Sequence, residues 1–432
     1  QLFIPICLET LLYMLSGMVD TLMLSSVNDQ AVGAVGTANT YIGIFIIMFS
    51  VISSGMVAVM TQNIGAGRPG VAYQARQLGL AFNAVLGIIL SLILAFGAGT
   101  ILAGVGVADA LMQPARTYLQ IVGGFCILNA LIPICSSYLR AFGFSKEPLY
   151  ASIIGNVINF CLNAFFLFVL HKGVAGVATA TVISRIINLV IVVMLGAVLV
   201  KAKQHPERES NREVMGQIIR IGLPSACETA IYNVSMTLVI RFLNQMDAQG
   251  LNVTARSYTM QITNFSYCVG AALAQANAIM TGWRIGAKEY DACDRGTRKA
   301  AIIGVIVAVI LETMFALCSG WIMQLFSKDP QMVSLVGKLL AIDIVLEMGR
   351  VTNLVYGQAL KTSGDAVFPV VMGACFMILC SVGGTYLFGI RLGLLAVGAY
   401  IGMAGDECVR AVGMYLRWKS GKWKEKGLVK SR

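Results

Sequence analysis

Charge is what this sequence has least of. Of its 432 residues only 12% are Asp, Glu, Lys or Arg, against roughly a quarter in a soluble globular domain. That is too little to solvate a water-exposed surface, so a soluble fold is excluded. Histidine is almost missing: His171 and His205 are the only two, and both fall in loops. The eleven cysteines are scattered singly, without a CxxC or a Cys/His cluster, and read as small apolar packing residues. An integral membrane enzyme would need a His, Cys or metal cluster at the membrane edge, so the chain is not expected to be an enzyme. What fills the sequence is apolar: 57% hydrophobic residues and a mean hydropathy of +0.77.

Lipid offers the backbone no hydrogen bonds, so spanning segments must be helices or a closed barrel. The apolar runs are too long and continuous for alternating barrel strands of roughly ten residues. They predict an all-α polytopic membrane protein with twelve transmembrane helices near 2–25, 37–63, 78–105, 116–141, 147–170, 174–201, 216–243, 253–282, 299–325, 333–362, 366–389 and 393–418. The opening apolar segment reads as the first span and not as a signal peptide.

Lys and Arg concentrate after the even-numbered spans and in the tail, twenty-two there against six in the opposite loops. The positive-inside rule then places both termini in the cytoplasm, which requires an even number of spans. The net charge of +11 therefore reflects topology and not nucleic-acid binding, and the basic tail, 419–432, reads as a cytoplasmic segment near anionic lipid.

The chain repeats itself. Pro5, Glu9, Thr10, Tyr13 and Ser16 recur as Pro224, Glu228, Thr229, Tyr232 and Ser235, and Arg140, Gly143 and Pro148 recur as Lys361, Gly364 and Pro369. Six spans per half keep both halves in one orientation, a parallel repeat of the kind that places sites near the midplane. This predicts an N-lobe over 1–201, a polar cytoplasmic linker over 202–214 and a C-lobe over 215–418. A channel needs symmetry around a pore; two lobes in one chain fit a secondary transporter better.

Charges within spans cost at least about 2.5–3.5 kcal/mol each on insertion scales and are usually functional. Asp20 in span 1 is the leading candidate. Its repeat partner is Val239, so it is not scaffold common to both halves. Asn159 and Asn163, four apart in span 5, share a face, and span 6 supplies Thr181. Oxygens of this kind can hold Na⁺, or serve a carboxylate that takes and releases a proton. In the C-lobe, Asp343, Glu347 and Arg350 share one face of span 10, Asp406, Glu407 and Arg410 lie in span 12, and Glu228 in span 7 could complete the cluster. These are either a second cation site or an ion-pair network that fixes helix packing. Glu9, Arg241 and Glu312 read as helix-end residues that can snorkel.

The chain resembles the multidrug and toxic compound extrusion (MATE) family along nearly its whole length. The matching pieces are Pro5 with Val19-Asp20-Thr21, Gln62-Asn63-Ile64-Gly65-Ala66-Gly67, Gly222-Leu223-Pro224, Ile285-Gly286-Ala287, Gly364-Asp365 with Pro369, and Asp406-Glu407 with Arg410 before Arg417-Trp418-Lys419. The resemblance implies two six-helix bundles in a V shape and antiport of Na⁺ or H⁺ against small, drug-like, often cationic compounds, with no cofactor beyond the coupling ion. It implies a monomer in the cell membrane whose partners are substrate and lipid bilayer. It puts ion coupling at Asp20, Asn159 and Thr181; Asn163 stands where many members have Asp, one negative charge fewer. Tyr13 and Tyr232 become candidates for stacking on a cationic drug, with Asn39 as a further substrate contact. A flippase for lipid-linked oligosaccharides, or a polysaccharide exporter of the same superfold, would favour several Arg or Lys in the cavity, and the first half shows almost none.

Overall fold

The computed structural model describes residues 2–25, 29–104, 107, 109–201, 205–247, 250–324 and 326–429. Among them no strand occurs. The helices are α1 (Phe3–Ser25), α2 (Asp29–Gly65), α3 (Pro69–Gly104), α4 (Asp109–Tyr118), α5 (Ile127–Ala141), α6 (Lys146–Ala164), α7 (Gly173–Leu199), α8 (Asn211–Met246), α9 (Leu251–Gly286), α10 (Tyr290–Leu317), the short α11 (Ser319–Met323), α12 (Pro330–Thr362), α13 (Val367–Phe376) and α14 (Leu395–Lys419). Helices α4 and α5 form one span bent by 44°. With that pair counted once and α11 set aside, twelve helical passages remain, six in each half.

Seven helices are apolar and long enough to cross a membrane alone, and the bent pair is an eighth. The other four passages, α8, α9, α12 and α14, carry the polar and charged side chains that lower their hydropathy. Several helices overshoot their predicted ends. At 37 residues, α2 is about 55 Å long against a hydrocarbon core of about 30 Å, so its ends stand clear of lipid. The surface is the inverse of a soluble protein's: Phe96, Leu317, Val198 and Trp321 are largely exposed, while Glu312, Glu347, Asp343, Asp406 and Arg410 are buried.

The chain divides into two compact units, Gln1–Gly222 and Leu223–Arg432. The division falls inside α8, beyond the expected linker, for a local reason. Gln74 in α3 donates to the Glu209 carbonyl at 2.7 Å and to Asn211 Oδ1 at 2.6 Å, Arg68 pairs with Glu209, and Arg208 donates to the Gly70 carbonyl. Downstream, α8 lies backbone to backbone on α2. A Cβ at Gly222 would stand 1.6 Å from the Val51 carbonyl oxygen, and one at Gly55 would stand 1.9 Å from that of Ile218. Only glycine permits that approach, so the described part of the linker and the first turns of α8 are fastened to the first unit. Lys203 lies outside the described residues.

The duplication is visible in the backbone. After α2 and after α9 the chain leaves the helix through the same left-handed cap: Arg68 N donates to Asn63 O and Glu289 N to Arg284 O, each at 2.8 Å, with φ of +72° at Gly67 and +61° at Lys288. The turn after α5 recurs after α12, at Gly143 and Gly364. Both fifth spans end in π-helical turns, Phe165–Val169 beyond α6 and Thr385–Arg391 beyond α13. Lys288 holds its cap without glycine's freedom, a strain of about 1–2 kcal/mol for an L-residue. Lys288→Gly is expected to raise the thermal midpoint of the detergent-solubilised protein by about 2–4 °C. An unchanged or lower midpoint would show that the lysine side chain offsets the strain.

The tail folds back onto the second unit. Trp423 stacks on Trp418 with centroids 4.1 Å apart, Trp418 Nε1 donates to Asp294 Oδ1, and Arg417 and Lys426 both reach the buried Asp365 carboxylate at 2.7 Å. Burial pushes the Asp365 carboxyl upward, but these hydrogen bonds and charges outweigh it and hold it below the ordinary range. Lys419, Lys422 and Lys424 remain exposed; Lys430 and Arg432 lie outside the described residues.

Candidate functional site

In the first unit, α1, α6 and α7 bring the expected residues together. Asp20 is half-buried and accepts a hydrogen bond at 2.7 Å from Nδ2 of Asn163, which is fully buried. The same Asn163 amide lies 3.2 Å from Asn159 Oδ1, and Asn159 Nδ2 lies 3.5 Å from Ser184 Oγ. The Asn163 Oδ1 atom is buried without a partner. Thr181 is buried beside this chain, but its hydroxyl donates to the Val177 carbonyl at 2.9 Å. So Asp20, Asn163 and Asn159 form one connected set, with Thr181 on its border. No described basic group lies within ion-pair distance of Asp20.

Sequence reading missed a neighbour. Arg185 stands near the middle of α7, and its charge acts on Asp20, Tyr118 and Cys126. The signal was present in the chain: a single arginine within an apolar run of 27 residues. Arg256, counted from sequence among the outer-loop residues, is likewise buried, in the first turns of α9 beside Met236.

Of the three proposed substrate contacts, Tyr13 and Asn39 both act on Tyr118 in the first unit, and Tyr232 belongs to the second. Tyr13 is 72% exposed. Asn39, also exposed, reaches the Tyr118 hydroxyl. Tyr232 is half-buried in the second unit, where it acts electrostatically on Arg350 and Tyr267.

The second unit carries a larger charged network. Arg410 forms a two-pronged pair with Asp406, at 2.8 and 2.9 Å, and reaches Glu407 Oε1 at 2.9 Å. Arg350 pairs with Glu347 at 2.8 Å and approaches Glu407 at 3.5 Å. Asn353 donates to Glu407 and Ser381 to Asp406. Glu312, read from sequence as a helix-end residue, is instead fully buried. Its carboxylate makes no ion pair and has only the Ser266 hydroxyl beside it, and Asp343 Oδ2 and Glu347 Oε1 lack a partner. Its charge and those of Asp343 and Glu347 act on one another. Five buried carboxyls thus face two arginines, and Glu312 and Asp343 have no described basic partner. Two of the five carboxyls thus lie outside the ion pairs. No described group of three or more His, Cys, Asp or Glu has the geometry of a metal site.

Glu228 is placed elsewhere than expected. It pairs with Lys361 at 2.6 Å, and its repeat counterpart Glu9 pairs with Arg140. The same acid–base pair therefore ties span 1 to span 4 in the first unit and span 7 to span 10 in the second. Because both halves keep it, it reads as duplicated scaffold, and Glu228 adds only its field at Arg410.

Comparison with known proteins agrees with this architecture. The MatE family profile matches residues 5–165 and 224–387. The chain is 34% identical to an uncharacterized transporter, YisQ of Bacillus subtilis (strain 168), over 98% of this chain and 94% of that one. It is 23% identical to a probable multidrug resistance protein, NorM of Thermotoga maritima, over 99% and 93%. Among solved structures it is similar to a MATE transporter in the straight conformation, with a TM-score of 0.89, 19% identity, and coverage of 98% of this chain and 96% of that one. A profile that follows both repeats, and a relative above 30% identity along nearly the whole length, show that this chain belongs to the MatE family, the multidrug and toxic compound extrusion transporters.

Proposed function

We propose that this protein exports small organic compounds across the cell membrane by antiport against protons, with both termini in the cytoplasm, and that Asp20 is the coupling residue. The observation that carries this reading is the connected set Asp20–Asn163–Asn159 inside the first unit. A hydrogen bond to a charged group contributes about 1.5–3 kcal/mol, comparable to the cost of holding the charge at membrane depth. One amide donor therefore balances the ionised form only narrowly, and a small change in occupancy tips it. An ionised Asp20 accepts from the Asn163 amide nitrogen; a protonated one can donate to the partnerless Asn163 oxygen after the amide rotates. Asn163 in place of a second carboxylate removes a charge that Na⁺ binding would use, which favours the proton over Na⁺. A cationic substrate group competes with the proton for Asp20, which is the exclusion that antiport needs.

The second unit supplies a further cation-accepting candidate, resting on the buried carboxyls of Glu312 and Asp343, which make no ion pair, and on the unpaired Oε1 of Glu347. It is distinguished from Asp20 by which variant loses coupling.

The deciding experiment uses purified protein in proteoliposomes loaded with a fluorescent cation. An imposed pH gradient is expected to drive transport, and an imposed Na⁺ gradient at equal pH is not. Transport driven by Na⁺ alone would overturn the proton assignment, and transport under neither gradient the antiport reading itself.

A further inference from the structure

Most charges inside the first unit are committed to protein partners. Glu9 is paired with Arg140, and Arg76 lies over the Tyr138 ring at 4.7 Å. Two are not: the Asp20 carboxylate, which has only an amide donor, and the Arg185 guanidinium. Arg185 makes no hydrogen bond or ion pair among the described residues, and its nitrogens are not sealed in the protein, the side chain being half-buried. It stands on the helix that bears Thr181 and Ser184, one turn after the first and next in sequence to the second. Its charge acts on α1 through Asp20, on α4 through Tyr118 and on the α4–α5 junction through Cys126. Asn129 lies one turn beyond Cys126 and interacts with its thiol.

An arginine in mid-span is costly and is retained where it faces water, substrate or a counter-charge. Tight pairing with Asp20 would explain it as scaffold, as Arg140 explains Glu9, but no such pair forms. A planar guanidinium with free donors is suited to a carboxylate, which it can hold through two parallel hydrogen bonds.

We propose that Arg185 is a specificity-determining residue that receives the carboxylate of the transported solute, while the solute's cationic group competes with the coupling ion for Asp20. This rests on the antiport reading above and narrows its substrate class to small organic zwitterions. The two unpartnered charges match such a solute end for end. Competition at Asp20 keeps the transport an exchange. A purely cationic solute would meet Asp20 but be opposed by Arg185.

The test uses two dyes with one ring system, a rhodamine with a free carboxylate and its methyl ester, in proteoliposomes under a pH gradient. Wild-type protein is expected to prefer the free acid. Arg185→Gln is expected to lower kcat/KM for the acid by about tenfold or more, since a site built to pair a polar group rejects its absence strongly, and to raise that for the ester, which no longer meets an opposing charge. Arg185→Lys, which keeps charge but not the fork, should fall between. Equal losses for both dyes in Arg185→Gln, or an unchanged acid-to-ester ratio in both variants, would overturn the proposal and make Arg185 a structural counter-charge. Ester transport that ignores the pH gradient in wild-type protein would instead sink the underlying antiport reading.

Discussion

Asp20→Asn is expected to reduce gradient-driven efflux to the level of empty vesicles, with expression and thermal midpoint within error of wild type. The substitution keeps the size of the side chain and a hydrogen-bonding partner for Asn163, so packing among α1, α6 and α7 is preserved. What it removes is the ability to exist in two charge states. Without them, substrate and ion no longer exclude each other, and binding of one carries no information about the other. A ligand shifts a conformational equilibrium only by its differential affinity for the two states. An Asn that binds no proton has no differential to offer. The readout is efflux of a fluorescent cation together with pH-dependent quenching of its binding in detergent. Wild-type efflux from the Asn variant would remove Asp20 from the coupling role and move attention to Glu312, Asp343 and Glu347.

Arg410→Met is expected to prevent recovery of monodisperse protein. Arg410 is 3% exposed and satisfies both Asp406 and Glu407. Taking away one side of a buried pair leaves the other charge uncompensated, a loss of about 3–5 kcal/mol. The neighbourhood here is already rich in acid, since Glu312 and Asp343 have no described basic partner, so the effect should sit at the upper end. Pairing the change with Asp406→Leu removes the uncompensated Asp406 carboxylate and should restore most of the lost stability, because well-packed apolar replacements of buried pairs are often neutral. Size-exclusion profile and thermal midpoint of single and double variants check this. A single variant as stable as wild type would mean that water or a cation already neutralises this corner of the second unit.

Three of the residues named above were visible in the chain as exceptions to their surroundings. Asp20 stands out because an acid in an apolar span is expensive, and Asp406 and Arg410 because four residues make one turn. Glu228 looked like a candidate for the same reason, while Glu9 was read as a helix-end residue, and only the structure shows them tied to Lys361 and Arg140. The repeat was itself the clue, since a charge kept in both halves is better explained as shared scaffold. Glu312 was set aside as a helix-end residue. Nearness to a helix end says nothing about whether a neighbouring helix covers it, and here one does. Arg185 needed no structure to be noticed, but its lack of a partner did.

The sequence by itself determined the class of protein, the number of its passages and the duplication. Each follows from local or summed quantities: scarcity of charge, apolar length against bilayer thickness, and recurrence at a fixed offset. Tertiary structure decided which charges are partnered, and where one compact unit gives way to the next. Ion pairing depends on distances between helices far apart in the chain, such as α1 and α5 or α12 and α14, and no periodicity within one helix encodes them. The position of the unit boundary inside α8 depends on two glycine contacts with α2, and these become readable only when the backbones are brought together.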